Sequence, residues 1–357
     1  MTPQTLAHHR LVRQHIVTST CRTPGEVVSN LVAMQAQDYT SALWAVGLRV
    51  PGATEVDIQQ AVRDRLIVRT WPMRGTLHFA AAKDVRWMLK LLTPRIVAGA
   101  AGRRRQLELD DATFIRCEKV FSRALEGGRQ LIREEMFEAL RRARIMVDNH
   151  RGYHILWRLA QEGLLCFGSH QGKQATFTLL DEWVPPAKSV EREKALAELA
   201  RRYFIGHGPA TLHDFVWWSG LKISEAREAI DLASPHLLQE TVKDKVYWMS
   251  PGKLTLSKEV SSMYLLPGFD EFLLGYQDRS ACLDPKYANK IVPGSNGIFL
   301  PTIVSNGRVI GTWKRATKKK SVLLTSASFK PMSKAESSAF IRAAEHYGKF
   351  MGLSVEI

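Results

Sequence analysis

The sequence contains few of the features that mark metalloproteins and disulfide-rich secreted proteins. Its four cysteines, at positions 21, 117, 166 and 282, form no C-x-x-C pair. This scatter argues against a structural zinc site and against a dense disulfide framework. Scattered single thiols of this kind fit a reducing cytoplasm best. None of the eleven histidines belongs to an H-E-x-x-H motif, so we expect neither a metal nor a cofactor.

Long apolar segments are missing as well. The chain has no run of about 18 apolar residues, the length needed to span a membrane. Residues 1–10 contain no apolar core of a signal peptide. We therefore expect a cytoplasmic protein with no membrane partner. With 357 residues, 45% of them hydrophobic, the chain can bury a sizeable core and form two to four domains.

Negative charge is scarce relative to positive charge. The 50 lysines and arginines exceed the 35 aspartates and glutamates, which gives a formal net charge of +15. A surplus of this size favours a polyanionic partner. Nucleic acid is the first candidate, and an anionic membrane surface is the second.

The most informative stretch is Gln35-Ala36-Gln37, which follows a helical stripe of Val27, Leu31 and Met34. In a continued helix the two glutamines would point about 200° apart, because each residue turns roughly 100°. In an extended segment, residues two apart point to the same side. Both amides would then face one cleft, with Ala36 turned inward. A solvated loop is the alternative, since exposed glutamines are common.

The residues after the motif predict the next helix. Thr40 and Ser41 are candidate N-caps for a helix over 42–48. The glutamines would therefore lie in a break between two helices.

One order of elements, two helices followed by a β-hairpin, recurs along the chain. Hairpins are predicted within 67–80, 164–179 and 237–249. The third unit has the clearest helix-turn-helix pattern, with Thr211 and Asp214 as a capping-box variant. Repetition of one module predicts three tandem winged helices. A generic helical protein with incidental hairpins is the alternative.

From Tyr264 onward, short β runs with turn signals predict a small β-barrel or sheet domain, closed by a helix over 334–348 and a strand over 353–357. Asn306-Gly307 is the strongest short-range hairpin signal in this region. Basic residues near this hairpin suit contact with phosphates and grooves of DNA. A solvated basic hairpin is the alternative interpretation.

These patterns give an α+β fold and four predicted domains. The first three are winged helix 1 with the glutamine motif (1–110), winged helix 2 (111–186) and winged helix 3 (187–254). The fourth is a C-terminal β-barrel domain (255–357) that carries the DNA-contacting hairpin.

Four segments together resemble the AlkZ/YcaQ family of bacterial alkylpurine DNA glycosylases. They are Gln35-Ala36-Gln37, the run from Met73 to His78, the run from Leu265 to Arg279, and the hairpin from Asn306 to Lys314. The resemblance spans nearly the whole chain. It implies three tandem winged helices that form a concave scaffold, with a C-terminal β-barrel. The Gln-hydrophobic-Gln triplet is that of the AlkZ-like branch, whereas the YcaQ-like branch has aspartate in third place.

The resemblance also implies a site and a substrate. Gln35 and Gln37 would be catalytic, and a further set of residues on the two hairpins and the Leu265–Arg279 run would bind DNA. That set is Arg74, Thr76, His78, Arg279, Asn306, Gly307, Arg308, Lys314 and Arg315. For His78, packing inside a strand is the alternative. The implied partner is duplex DNA with alkylated purines. We expect a monomer that is associated with the bacterial nucleoid.

Two glutamines suffice chemically for a cationic lesion. A purine alkylated at N3 or N7 leaves as a neutral base, so a strong general base is dispensable. Amides can hold the attacking water and orient the sugar. Asp38 is the nearest carboxylate, but its side chain would point away from Gln37 in an extended segment.

No lysine stands out as a Schiff-base nucleophile, so we predict a monofunctional DNA glycosylase. It would release N3- or N7-alkylated purines, including bulky or crosslinked ones, and leave an abasic site. An open basic channel would suit such lesions better than a deep base-flipping pocket. The alternatives are a winged-helix transcriptional regulator without activity and a structural nucleic-acid chaperone.

Overall fold

The computed structural model describes residues 1–242, 244–252, 254 and 262–357. Lys243, in the third predicted hairpin, and the first seven residues of the fourth predicted domain, 255–261, lie outside the described residues. The chain divides into two compact units. Unit 1 combines Met1–Ile58 with Leu196–Ile357, and unit 2 is Gln59–Ala195.

Unit 1 begins with helices that have side-chain N-caps. Thr23 caps the second helix, because its Oγ1 accepts the N–H of Glu26 at 3.2 Å and Pro24 follows at the first helical position. The elements are α1 (Pro3–Arg13), α2 (Pro24–Asn30), β1 (Ala33–Gln35), α3 (Tyr39–Gly47) and α4 (Glu55–Arg63), whose last residues belong to unit 2.

Unit 2 contains both of the first two predicted hairpins. Its elements are β2 (Ile67–Met73), β3 (Thr76–Ala81), α5 (Ala82–Gly99), α6 (Ala101–Gln106), α7 (Asp111–Leu125), β4 (Leu131–Ile132), α8 (Arg133–Arg142), α9 (Arg151–Gln161), β5 (Leu165–Phe167), β6 (Thr176–Leu179) and α10 (Leu180–Trp183). The helix α11 (Arg192–His207) leads back into unit 1.

The two hairpins of unit 2 share one antiparallel sheet. Within this unit the strand order is β3-β2-β5-β6-β4, and Arg69 of β2 pairs with Phe167 of β5. The helices α7, α8 and α9 cover this sheet with a core that includes Phe121, Leu140 and Leu156. The hairpins therefore pack as one layer rather than as isolated wings.

The rest of unit 1 holds a helical pair, a hairpin and a C-terminal sheet. The helical and hairpin elements are α12 (Leu212–Ser219), α13 (Ile223–Ala233), β7 (Leu238–Val242) and β8 (Lys245–Met249). The predicted capping box is present, because Thr211 and Asp214 bond each other's backbone N–H groups.

Within the described residues 262–357, the C-terminal part adds eight helices and strands and two short 3-10 turns. They are β9 (Met263–Leu266), α14 (Glu271–Leu274), α15 (Ala288–Ile291), β10 (Thr302–Ser305), β11 (Arg308–Thr317), β12 (Ser321–Ser328), α16 (Lys334–Met351) and β13 (Ser354–Glu356).

The C-terminal sheet corrects the predicted β-barrel. Its strand order is β13-β12-β11-β10-β9, so β9 and β13 are the two edges of a curled, open half-barrel. The helix α16 packs against both edge strands. Among the described residues, α16 therefore bridges the two edge strands, and β9 and β13 do not pair with each other. The mixed α+β class is as predicted.

Within the described part of the chain, no helix combines the length and the apolar character that a membrane crossing requires.

Candidate active site

The glutamine motif lies in a break between two helices, as predicted. The helix α2 ends at Asn30, β1 includes Gln35, and α3 starts at Tyr39. Val32, fully buried just before β1, has a φ of +66°. A β-branched residue seldom adopts this left-handed conformation, and such strain is concentrated at functional sites.

The side chains of the motif differ in exposure. Ala36 is fully buried, in agreement with the predicted inward orientation, and Gln35 is 9% exposed. Gln37 is exposed. Ala36 therefore anchors the motif in the protein interior. The amide of Gln35 is largely enclosed, and the amide of Gln37 is accessible to solvent.

Asp38 is the N-cap of α3. Its Oδ1 accepts the N–H of Ser41 at 3.0 Å. The prediction that Thr40 and Ser41 cap this helix is wrong, because the helix begins at Tyr39 and its free N–H groups face the Asp38 carboxylate. One carboxylate oxygen is thus engaged in helix capping.

Glu271 is a buried carboxylate that binds the backbone N–H of Gln35 in the motif. The Glu271 side chain is 1% exposed. Its Oε1 accepts the N–H of Gln35 at 3.3 Å. Its Oε2 accepts the indole N–H of Trp218 at 2.9 Å and lies 3.2 Å from Nε2 of His207. Sequence reasoning placed Glu271 within a family-like run but gave it no role.

The neighbouring carboxylate is tied to a different partner. Asp270 forms two hydrogen bonds of 2.9 Å with the guanidinium of Arg49. The same guanidinium donates to the main-chain oxygens of Ala45 and Gln14. A bidentate pair of this kind is strong and directional. It fastens α3 to the start of α14.

The remaining candidates fall into two groups, one in each unit. Arg74, Thr76 and His78 belong to unit 2. Arg279, Asn306, Gly307, Arg308, Lys314 and Arg315 belong to unit 1, together with Gln35 and Gln37.

In unit 2, Arg74 and Gly75 form the turn between β2 and β3, with φ values of +54° and +72°. His78 is fully buried and its Nδ1 lies 2.9 Å from the carbonyl oxygen of Thr76. Its Nε2 lies 3.2 Å from Nη2 of Arg74. Since a carbonyl only accepts and a guanidinium only donates, His78 is a neutral imidazole with its proton on Nδ1.

The surroundings of His78 keep it neutral. Burial lowers the pKa of His78 well below its usual value, and the charge of Arg74 lowers that pKa further. Thr76 is half-buried, and its hydroxyl oxygen is enclosed with no hydrogen-bond partner among the described residues. In this structure the three candidates form one local cluster at a turn.

Arg279 is a packed guanidinium in unit 1. Its Nε donates to the carbonyl of Leu273 at 2.8 Å, and its charged centre lies 4.9 Å from the ring of Phe299 and 5.2 Å from that of Trp217. Burial lowers the pKa of Arg279. The guanidinium is half-buried, so only part of it is available to a ligand.

The Asn306-Gly307 turn is present as predicted and lies against α1. Asn306 and Gly307 both have positive φ, +49° and +75°, as a two-residue type I′ turn requires. Nε2 of His8 lies 2.9 Å from Oδ1 of Asn306. Gly307 is buried, and a Cβ there would lie 2.9 Å from Cδ2 of His8. The tip is thus a packed turn.

Three basic candidates follow on β11. Arg308 donates to the carbonyl of Ala281 at 3.5 Å, and Arg315 donates to the hydroxyl of Tyr347 at 2.8 Å. Lys314 is exposed. Of these three, Lys314 is the most accessible cation.

Arg308 also borders a cleft that sequence reasoning missed. The cleft has a volume of about 330 Å³, and Lys286 and Lys330 lie beside it. Tyr287 and Phe329 stack in its wall with ring centroids 4.1 Å apart. The sequence signal for this cleft was the abundance of lysines in 286–330. That abundance did not show that Lys286 and Lys330 would lie beside the same cleft.

A metal site is not evident from the geometry. Across the ranges that the structure describes, no group of three or more histidine, cysteine, aspartate or glutamate side chains is arranged to hold a metal ion. All four cysteines are buried free thiols.

Three comparisons with known proteins bear on this site. The model of the family described as DNA glycosylase AlkZ-like matches residues 28–350. A curated protein of Streptomyces sahachiroi named interstrand DNA cross-link repair glycosylase is 26% identical over 328 residues, which cover 85% of each chain. The solved structure of Streptomyces sahachiroi DNA glycosylase AlkZ shares the fold. Its TM-score is 0.80 at 22% identity, and the alignment covers 100% of this chain and 99% of that one.

Proposed function

This chain belongs to the AlkZ-like DNA glycosylase family, and from that premise we propose that it removes alkylated purines from duplex DNA by hydrolysis. The family match identifies it as a DNA glycosylase, a hydrolase of N-glycosyl bonds. The observation that carries the finer proposal is the Gln35-Ala36-Gln37 motif, which lies between α2 and α3 and whose Gln35 N–H group is bound by the buried Glu271 carboxylate.

The chemistry suits a lesion with a positive charge. Alkylation at N3 or N7 makes the purine a cation, so it departs as a neutral base. The transition state then needs a placed water and an oriented sugar more than it needs a strong base. Gln35 and Gln37 can accept a hydrogen bond from water through Oε1 and donate to sugar oxygens through Nε2. Positioning of this kind is worth several orders of magnitude in rate.

The substrates we propose include bulky and crosslinked N7-alkylpurines. The support is the name of the Streptomyces sahachiroi relative, which is an interstrand cross-link repair glycosylase. We further propose that the enzyme is monofunctional, acts as a monomer and contacts DNA through its basic candidates. The exposed member of this set is Lys314, whereas Arg74, Arg279, Arg308 and Arg315 are half-buried. The helix–hairpin units would be winged helices. Membership of a glycosylase family does not favour the regulator without activity.

The first test is base release from a duplex that carries one N7-methylguanine. We expect Gln35→Ala and Gln37→Ala each to lower the single-turnover rate by about 100-fold, because each removes a group that positions the water or the sugar. Alkaline cleavage at the abasic site measures the product. The dissociation constant for the same duplex serves as the control and should stay within about threefold of wild type.

Unchanged cleavage by both variants would place the active site elsewhere. A wild-type protein that binds the duplex firmly but releases no base would contradict the proposed activity. Borohydride treatment should trap no covalent adduct, since the proposed mechanism has no Schiff base, and a trapped adduct would contradict the monofunctional mechanism.

A further inference from the structure

Glu271 is buried at a place where a carboxylate is unfavourable unless donors surround it. Three donors do so, from Gln35, Trp218 and His207. One of them is the backbone of a proposed catalytic residue. A hydrogen bond between an N–H group and a charged carboxylate is stronger than one between neutral groups. The position of Gln35 is therefore coupled to the position of this carboxylate.

An anchor matters here because the backbone just before the motif is unusual. Val32 adopts a left-handed conformation that a β-branched residue disfavours, three residues before Gln35. A strained backbone persists only where the surrounding structure over-determines it. The Gln35 N–H group, bound by Oε1 of Glu271 at 3.3 Å, supplies one such constraint.

We infer that Glu271 is a positioning residue for hydrolysis, which fixes the Gln35 backbone so that both amides meet the reacting water and sugar. This inference rests on the proposed function. Because Gln37 follows Gln35 by only two residues, a shift of the Gln35 backbone moves Gln37 as well. A displacement of about 1 Å can cost about 100-fold in rate.

The carboxylate is itself rigidly mounted. Its residue begins α14, where Oδ1 of Asp270 accepts the N–H of Phe272 at 2.9 Å. The carbonyl of Glu271 accepts the side-chain amide of Gln14 at 3.2 Å. On its other side, Trp218 and His207 hold Oε2. These contacts locate Glu271 independently of the motif that it supports.

Asp270 provides a matched control. It is also a buried carboxylate, 5% exposed, one residue earlier in the chain. Its oxygens bind Arg49 and the N–H of Phe272 at the start of α14. A loss that comes from general destabilisation should affect Asp270→Asn at least as strongly, because that substitution breaks a buried ion pair.

The substitution Glu271→Gln keeps the shape of the side chain and leaves it one acceptor oxygen for three donors. We expect the single-turnover rate of N7-methylguanine release to fall about 100-fold, with the dissociation constant for the duplex unchanged within about threefold. Asp270→Asn should lower the melting temperature at least as much but keep a rate well above that of Glu271→Gln. Glu271→Asp retains the charge but shortens the side chain. It replaces Glu271→Gln in these measurements if Glu271→Gln does not fold.

Hydrogen exchange gives a readout that does not depend on activity. In Glu271→Gln the amide of Gln35 should exchange faster, whereas the amide of Ser41, held by Asp38, should not change. Equal rate losses in the Glu271 and Asp270 variants, or an unchanged Gln35 amide, would overturn the inference. Absence of base release by wild type would instead overturn the proposed function, and the exchange data would still decide whether Glu271 fixes Gln35.

Discussion

His15 shows how one side chain in unit 1 couples stability to pH. Its Nε2 lies 3.4 Å from Nδ2 of Asn30, an amide nitrogen that can only donate. The imidazole must therefore accept, which requires its neutral form. Burial, followed by the charges of Arg49 and Arg13, lowers the pKa of His15 to about 4.

This pKa predicts a loss of stability in mild acid. Between pH 6.5 and 4 the unfolded chain binds a proton at His15 that the folded chain does not bind, so the free energy of unfolding falls as the pH falls. The loss should be on the order of 2 kcal/mol, after allowance for partial exposure. His15→Asn, which tolerates the local φ of +58°, should flatten this dependence in urea titrations.

His236→Asn is the control, because it makes the same substitution at an exposed position, and the slope of His15→Asn is compared with its slope. If His15→Asn keeps the full wild-type slope, His15 does not contribute to the pH dependence of unfolding.

A carboxylate beside the motif could cap a helix or act as a general base. Substitutions at Asp38 distinguish these two roles. As an N-cap it needs only an oxygen that accepts the N–H of Ser41. Asn caps a helix as well as Asp does. We therefore expect Asp38→Asn to keep both the stability and the rate of base release, and Asp38→Ala to lose about 1 kcal/mol of stability.

Thermal unfolding and single-turnover cleavage measure the two roles separately. A rate loss of about 100-fold in Asp38→Asn, at unchanged stability, is the size expected of a general base and would contradict the capping role as its sole one.

At the scale of elements, the β10–β11 hairpin is defined by its turn and by its packing. The turn needs positive φ at both positions, which Asn and Gly adopt most readily. The contact with His8 adds a steric requirement at Gly307, because a Cβ there would meet both His8 and Ala7. Local sequence predicted the first property but could not predict the second.

Gly307→Ala should therefore cost more than a change of backbone preference alone. We expect a loss of about 3 kcal/mol, of which about 1 kcal/mol reflects the φ of +75° and the rest the overpacking against α1. Gly52 is a matched control, since it has the same φ of +75° and no atom within 4 Å of an added Cβ. Urea denaturation should show Gly52→Ala losing only about 1 kcal/mol. Equal losses would mean that the contact with α1 does not constrain the turn.

At the scale of the molecule, the net charge of +15 governs association with DNA. Each phosphate contact releases condensed counterions, so binding weakens with salt. Lys314→Ala should weaken binding to undamaged duplexes of any sequence and reduce the slope of log affinity against log salt by about 1. Fluorescence anisotropy at several salt concentrations measures this slope.

Lys194, an exposed lysine that is paired with Glu191 at 2.9 Å, is the control for that measurement. A slope that falls equally in Lys194→Ala and Lys314→Ala would show that Lys314 acts only through the net charge.

Short-range patterns predicted most elements, and long-range contacts account for what they missed. Thr23, the Thr211–Asp214 box and Asn306-Gly307 act within a few residues, so their roles were readable from the sequence. The role of Glu271 was not, because its bond to Gln35 joins residues 236 positions apart. The half-barrel was missed for the same reason, since no local signal shows that α16 covers both sheet edges.

The separation between Gln35 and Glu271 also orders events during synthesis. A ribosome adds about 5 to 20 residues per second. Over the 236 positions between them, the glutamine leaves the ribosome on the order of ten to fifty seconds before its carboxylate partner. The whole of unit 2, Gln59–Ala195, is translated in that interval. The nascent chain thus carries its proposed catalytic amides without their proposed anchor until Glu271 has been translated.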